Sequence, residues 1–367
     1  MKIAHSHDWL NGMRGGEKCL EAIAELYPGS PIYTLFHENG KISATLEKHP
    51  IQVSWIQKLP DVYKRYRHYL PLFPRAIESF CLKDAEVVIS TSHCVAKGIR
   101  KSKGAVHICY CFTPMRYAWD LFDEYFGAQN FFLRKGIAAF MPSLRKWDYE
   151  SSRGVDHFIA ISEHVKKRIQ RFYKRSAEVI YPPVDTDFFT STRTARENFY
   201  LIVSALVPYK RIDVAIQAFN CSGKRLVVIG EGPERKKLEA LAKKNVEFLG
   251  WQPDELIRQY YRRARALIFP GEEDFGIVPV EMQACGGFVL ALAKGGALET
   301  VRDGKTGLFF PDPDERSIVK TVERFEGMHW IPEDSRQNAA GFSRERFKKE
   351  MRDAVARLVL EHQGKDL

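Results

Sequence analysis

The chain has 367 residues, 45% of them hydrophobic and 28% charged, with a formal net charge of +10 and a pI near 9.1. That length suits two domains, and the composition is that of a globular protein, not a disordered or fibrous one. No apolar run reaches the roughly 18–20 residues that cross a bilayer. Met1-Lys2-Ile3-Ala4-His5-Ser6-His7 lacks the apolar stretch of a signal peptide and reads as a first strand, so a cytoplasmic protein is expected.

Seven cysteines are an odd number without metal-site spacing, which fits reduced core thiols in a reducing compartment. The excess of positive charge favours anionic partners: phosphates, nucleic acid or an anionic membrane face. Basicity does not choose among them.

In chain order, short β-rich runs alternate with helical patterns. The strands expected in the first half are Lys2–His7, Glu86–Thr91, Val106–Cys111 and His157–Ser162, with helices at Gly16–Leu26 and Glu163–Tyr173. In the second half the strands are Tyr200–Leu206, Arg225–Gly230, Val246–Leu249, Ala266–Pro270 and Phe288–Ala293. The helices there are Arg211–Asn220, Pro233–Lys243 and Pro253–Arg263. Alternating strands and helices form βαβ units around a parallel sheet. Two prolines at Tyr181-Pro182-Pro183-Val184-Asp185, then a polar stretch to Asn198, mark the boundary. The class is therefore α/β, with two doubly wound, Rossmann-like domains whose strand ends face a cleft. The expected domains are 1–190, completed by a C-terminal helix at about 345–367, and 191–344.

Three segments after strands carry candidate chemistry. Met13-Arg14-Gly15-Gly16-Glu17-Lys18 follows the first strand and opens a helix. Its glycines either let a ligand approach the backbone or serve a tight strand–helix connection. Val207-Pro208-Tyr209-Lys210-Arg211 places two adjacent cations after a strand, where they can clamp a diphosphate or start a solvated helix. Because cations are mildly unfavourable at a helix N-terminus, the first reading is preferred. Gly271-Glu272-Glu273-Asp274-Phe275-Gly276-Ile277-Val278-Pro279-Val280-Glu281 joins a buried strand to a Pro-started helix. Free N–H groups at such a start can hold a phosphate, while Glu273 and Glu281 can accept hydrogen bonds from sugar hydroxyls. An acidic solvated turn is the alternative.

Trp55 to Arg75 interleaves aromatic and basic residues. It is either a surface for anionic lipid or nucleic acid, or an amphipathic helix packed on its own domain. Gly230-Glu231-Gly232 begins like a dinucleotide fingerprint, but Arg235 replaces its third glycine and the strand before it is not the first. It reads as a turn, and an NAD-dependent oxidoreductase is disfavoured.

Taken together, the segments resemble retaining glycosyltransferases of the GT-B fold, family 4. Glu273 and Glu281, Ile159-Ala160-Ile161-Ser162-Glu163, Tyr181-Pro182-Pro183-Val184-Asp185, Leu206-Val207-Pro208-Tyr209-Lys210-Arg211-Ile212-Asp213, and Gly295-Gly296 with Asp303-Gly304-Lys305-Thr306-Gly307 fall in that family's order. Tyr110-Cys111-Phe112-Thr113-Pro114-Met115-Arg116-Tyr117 resembles mannosyltransferases that build bacterial surface polysaccharides.

The resemblance implies a nucleotide-sugar donor, GDP-mannose first among them, with no separate cofactor and no metal. The acceptor would be a saccharide, probed first as a lipid-linked one at the inner membrane face. Glu273 and the N–H groups of Phe275, Gly276, Ile277 and Val278 would hold the sugar and a phosphate oxygen, and Glu281 the ribose. Lys210, with Arg211, would neutralise the leaving diphosphate, which Gly15 and Gly16 would also approach. Two departures stand out: Ala205 replaces an arginine found in many members, and Phe112 a histidine. They keep open a non-catalytic nucleotide-sugar-binding subunit beside the transferase, and a GT-B epimerase is a third reading. Nucleic-acid binding rests on charge alone. Asp185/Asp187 and Asp312/Asp314 have metal-site spacing but read as turn residues beside prolines.

Overall fold

The computed structural model describes residues 1–82, 84–127, 129–192 and 195–364. The chain divides into two compact units, Met1–Pro183 with Glu345–Leu367, and Val184–Arg344. In the first lie β1 (Ile3–His7), β2 (Ile32–Thr34), β3 (Ile51–Val53), β4 (Val87–Ser92), β5 (Val106–Cys111), β6 (His157–Ala160) and β7 (Glu178–Val179). In the second lie β8 (Tyr200–Val203), β9 (Leu226–Ile229), β10 (Val246–Gly250), β11 (Ala266–Phe269), β12 (Val289–Leu292) and β13 (Gly307–Phe310).

The first sheet runs β3-β2-β1-β4-β5-β6-β7 and the second β10-β9-β8-β11-β12-β13. Every strand pair is parallel, with registers such as His5↔Ile89 and Tyr200↔Leu226. Each sheet reverses direction beside its first strand, the doubly wound order that gathers ligands at strand carboxyl ends. Parallel strands covered on both faces must be apolar throughout. Accordingly β9, β11 and β12 are buried at every residue. In β4 and β5 the buried set extends to Ser90, Thr91, Ser92 and His107, so polar groups there must find partners inside.

The expected helix at Glu163–Tyr173 forms with those bounds, and Ser162 Oγ accepts the Val165 N–H at 3.0 Å as its N-cap. The helix Ile212–Ser222 ends at Gly223 with φ +70°, a left-handed stop that glycine adopts without strain. Four strands lie outside the sequence expectation: β2, β3, β7 and β13. So do the helices Phe131–Ser152, Glu315–Glu326 and Pro332–Ala340.

Trp55 to Arg75 is not one amphipathic helix. It forms turns of 3-10 helix at Trp55–Lys58 and Tyr66–Leu72 around a short helix, Val62–Arg65, before the helix Phe73–Glu78 begins. Asp61 with φ +49° and Pro71 interrupt the helical ladder. Tyr66 and Phe73 turn into the core against Trp9. Lys58, Lys64, Arg65, Arg67 and Arg75 remain exposed.

The division falls before Val184 rather than near residue 190. Val184 N–H donates to Phe342 O at 2.9 Å and Val184 bridges Ser343, which ties the segment after the prolines to the second unit. Arg193 and Thr194 of the expected linker lie outside the described residues. The helix Arg344–His362 returns to the first unit, and residues 365–367 of the expected C-terminal helix also lie outside the described residues. Phe347 and Met351 are fully buried there, with Phe347 edge-on to Tyr110 at 5.4 Å.

Candidate functional site

In the second unit, three loops meet beyond the carboxyl ends of β8, β11 and β12. After β11 the chain runs through Gly271 and Glu273 to Gly276, whose φ of +91° turns the backbone into the helix Ile277–Ala284. Phe275, Gly276, Ile277 and Val278 thus sit at the start of that helix, where first-turn N–H groups have no intrahelical acceptor. After β8, Pro208–Lys210 forms one turn of 3-10 helix, and Arg211 takes φ +50° before the next helix.

Glycines let these backbones touch. A Cβ on Gly271 would lie 2.8 Å from Lys210 Cα. One on Gly295 would lie 2.4 Å from Glu273 O, and one on Gly296 2.3 Å from Phe275 Cα. Gly296 N–H also donates to Glu273 O at 2.8 Å. Consequently the Glu273 loop is held from both sides by backbone.

The Lys210 ammonium and the Glu273 carboxylate form an ion pair, with side chains 15% and 20% exposed. The pair joins the two segments that the sequence picks out as diphosphate and sugar binders. Arg211 lies beside them in sequence, but its Nε is directed to Asp213 Oδ1 at 3.3 Å. Glu281 is buried on the helix and accepts from the Tyr261 hydroxyl at 3.0 Å. Burial and the Glu281 carboxylate push the Tyr261 phenol well up, so it remains a donor. Below it Gln283 Nε2 donates to Pro279 O and Thr300 O, fixing the helix from within.

Gly230-Glu231-Gly232 packs rather than opens. A Cβ on Gly230 would lie 1.8 Å from Ser204 O, and one on Gly232 2.3 Å from Leu206 O. These glycines seat the loop that carries Lys210. Ala205 is exposed at its rim. Asp314 caps the helix Glu315–Glu326 by accepting Ser317 N–H at 2.7 Å, and Asp185 accepts Phe188 N–H at 2.9 Å, so both serve turns.

In the first unit, Gly15 and Gly16 open the helix Gly15–Ala24 after β1. A Cβ on Gly16 would come to 3.4 Å from the Phe112 ring and 3.7 Å from His7, while one on Gly15 would meet nothing within 4 Å. Sequence reasoning overlooked Asp8, which follows β1, and His93, which follows β4. Asp8 Oδ2 lies 3.0 Å from His93 Nδ1. The signal was a charged residue directly after one buried strand and a titratable one directly after another. Seeing it requires knowing that β1 and β4 are neighbours.

Similarity to known proteins agrees with this geometry at two levels. At the level of fold, Anabaena HepE in complex with UDP superposes with a TM-score of 0.70 at 18% identity, over 97% of this chain and 100% of that one. The fold is GT-B, α/β with two parallel sheets. At the level of family, residues 184–342 match the family described as "Glycosyl transferases group 1". That segment is nearly the whole second unit. An uncharacterized glycosyltransferase of Methanocaldococcus jannaschii is 30% identical over 200 residues, 52% of this chain and 56% of the relative. A GDP-mannose-dependent alpha-(1-6)-phosphatidylinositol monomannoside mannosyltransferase of Mycolicibacterium smegmatis is 30% identical over 193 residues, 44% of this chain and 50% of that protein. The chain spans about half the length of these curated relatives.

Proposed function

We propose that this protein is a retaining glycosyltransferase that moves a sugar, mannose from GDP-mannose in the first instance, onto a saccharide acceptor. The acceptor we propose is lipid-linked and belongs to surface-polysaccharide synthesis. The observation that carries the reading is the Lys210–Glu273 ion pair beside the start of the helix Ile277–Ala284. In this structure Glu273 neutralises Lys210. An arriving diphosphate competes for the ammonium, which frees the Glu273 carboxylate to accept sugar hydroxyls.

The helix start then faces a phosphate oxygen, with Phe275 to Val278 supplying N–H groups and Glu281 the ribose contact. Gly15 and Gly16 offer a second backbone approach to the diphosphate, and Arg211 a second cation. As the glycosidic bond breaks, charge builds on the leaving diphosphate, and Lys210 stabilises it there more than in the ground state. The leaving phosphate itself takes the acceptor proton on the same face, so no protein nucleophile is required. In this reading the second unit binds donor and the first unit binds acceptor.

Ala205 and Phe112 support a second reading, a subunit that binds nucleotide sugar without turnover. A donor screen separates the two. Thermal shift with GDP, UDP, ADP and dTDP sugars names the donor, and nucleotide release with and without lipid-linked acceptor measures turnover. A GDP-mannose shift with GDP release, lost in Glu273→Ala and Lys210→Ala, supports the transferase. Binding without turnover in the presence of acceptor supports the subunit, and acceptor-independent conversion of the sugar itself supports an epimerase.

No helix among the described residues is long and apolar enough to cross a membrane. We propose peripheral contact with anionic lipid through exposed Lys64, Arg65 and Arg67, beside Trp55, which is 41% exposed. Binding to anionic vesicles that survives charge reversal of all three would overturn that contact.

A further inference from the structure

The carboxyl ends of β1 and β4 carry a charged pair that the donor chemistry above does not use. Asp8 is fully buried. Its Oδ2 accepts the backbone N–H groups of His93 at 2.8 Å and Cys94 at 3.0 Å. Its Oδ1 accepts those of Val95 and Ala96, each at 2.7 Å. Burial raises the Asp8 pKa, but the charge and hydrogen bond of His93 outweigh it, and the carboxyl stays well below the usual range. So anchored, the carboxylate holds the His93 ring at Nδ1 and leaves Nε2 on its far side.

The His93 side chain is 38% exposed although its partner is wholly covered, so one edge of the ring reaches solvent. Aromatic residues stand around it. The Trp9 ring lies edge-on at 4.7 Å between centroids and Phe112 at 6.4 Å. Phe112 also backs Gly16 at the start of the glycine-rich helix. A fixed hydrogen-bond donor among aromatic rings, at the strand ends where such sheets bind ligands, suits a pyranose. The C–H faces of the sugar lie on the rings, while a hydroxyl oxygen takes the N–H.

We propose that His93, oriented by Asp8, forms a sugar-hydroxyl subsite of the first unit, with Trp9 and Phe112 as its apolar walls. The proposal rests on the reading that this protein handles sugars. Its ligand is a pyranose hydroxyl, which either the donor's sugar or the acceptor's sugar can present.

The charge on the ring favours the role. Burial lowers the His93 pKa, yet the Asp8 carboxylate more than reverses this and Glu17 adds to it against Arg14. His7 interacts with His93 through charge, and its own pKa is lowered, chiefly by burial. His93 therefore stays protonated to higher pH than an ordinary histidine, and hydrogen bonds from a charged donor are the stronger kind.

Calorimetry and kinetics on the full chain test the proposal. The probes are the nucleotide sugar found in the donor screen and its free nucleotide. If the subsite holds the donor's sugar, His93→Ala lowers the preference for nucleotide sugar over nucleotide by about tenfold, and free-nucleotide affinity stays within about twofold. If it holds the acceptor's sugar, donor affinity is unchanged and acceptor KM rises by about tenfold, with kcat little altered. In both cases His93→Gln, which keeps a neutral donor, retains part of the effect. Asp8→Asn shifts the alkaline limb of the pH profile to lower pH, because His93 then loses its proton sooner. The His93 variants decide the matter where Asp8→Asn unfolds. Unchanged preference and unchanged acceptor KM in His93→Ala would overturn the subsite while leaving the transferase reading intact. A wild-type protein that binds no nucleotide sugar and turns none over would overturn both.

Discussion

The two units share a sheet order but handle polar chemistry in opposite ways. In the first, His5, His7, Asp8, Glu17, Lys97, His107 and Asp148 are all buried. In the second, Glu281 is the only buried Asp, Glu, His, Lys or Arg among the described residues. Of the 11 histidines, only His329 falls within residues 184–344. The first unit fixes charge by surrounding it: Asp148 receives Lys97, Trp119 and Tyr173 together. The second sets half-covered ions on loops that glycines clamp. Charges of the first kind cannot change partners without unfolding, whereas Lys210 and Glu273 can. A site that must release one partner to take a ligand belongs on the second pattern.

The largest effect that would sharpen this contrast is expected from Asp148→Ala. It strands the Lys97 ammonium in the core and costs about 3–5 kcal/mol in chemical denaturation. Glu273→Ala should do the reverse. Sugar transfer falls by about 100- to 1000-fold, as for loss of one charge-stabilising group, while the unfolding free energy moves by about 0.5 kcal/mol or less. A Glu273→Ala protein as unstable as Asp148→Ala would break the comparison.

Acid should separate the units next. Burial lowers the pKa of His5 to about 3, helped by His49, and that of His107 to about 4. Between those values and the ordinary 6.5 the unfolded chain binds the extra protons, so stability falls as pH falls. From pH 7 to 5 the first unit should lose about 2–4 kcal/mol. Hydrogen exchange read unit by unit should show it opening first. His93, raised instead, contributes in the opposite direction, with stability lost as pH rises through its folded value.

Smaller again is Gly296→Ala, whose new methyl must displace the Phe275 backbone and costs about 1–3 kcal/mol in melting experiments. Gly15→Ala, with open space at its Cβ, should leave stability close to wild type. Loss of an N-cap should not distinguish the units at all. Ser162→Ala and Asp314→Ala each remove an N-cap and should each cost about 1 kcal/mol.

What the sequence disclosed follows from how far apart the cooperating residues lie. Strand β11, the acidic loop and the helix Ile277–Ala284 occupy one continuous run, so their chemistry can be read locally. The Lys210 loop is equally compact, but its pairing with Glu273 requires the sheet order. Asp8 and His93 are 85 residues apart, and nothing local connects them. Strands β2 and β3 have three residues each, too few for a period to emerge. Between Trp55 and Arg75 the aromatic spacing looked helical, yet the left-handed Asp61 redirected the chain. Packing then sorted Tyr66 and Phe73 inward and the cations outward.

The helix Arg344–His362 has a consequence for the order of assembly during synthesis. It buries Phe347 against Tyr110, donates from Arg346 to Tyr181 O, and pairs Arg357 with Glu178. Those partners leave the ribosome some 165 to 240 residues earlier, as the separations from Tyr181 to Arg346 and from Tyr110 to Phe347 require. The second unit lies wholly within that interval and can close first. The unit that starts the chain is therefore the last to be finished, and its apolar edge near Tyr110 waits uncovered until then. A nascent chain stalled before residue 344 would expose that edge to chaperones, even with the second unit already folded.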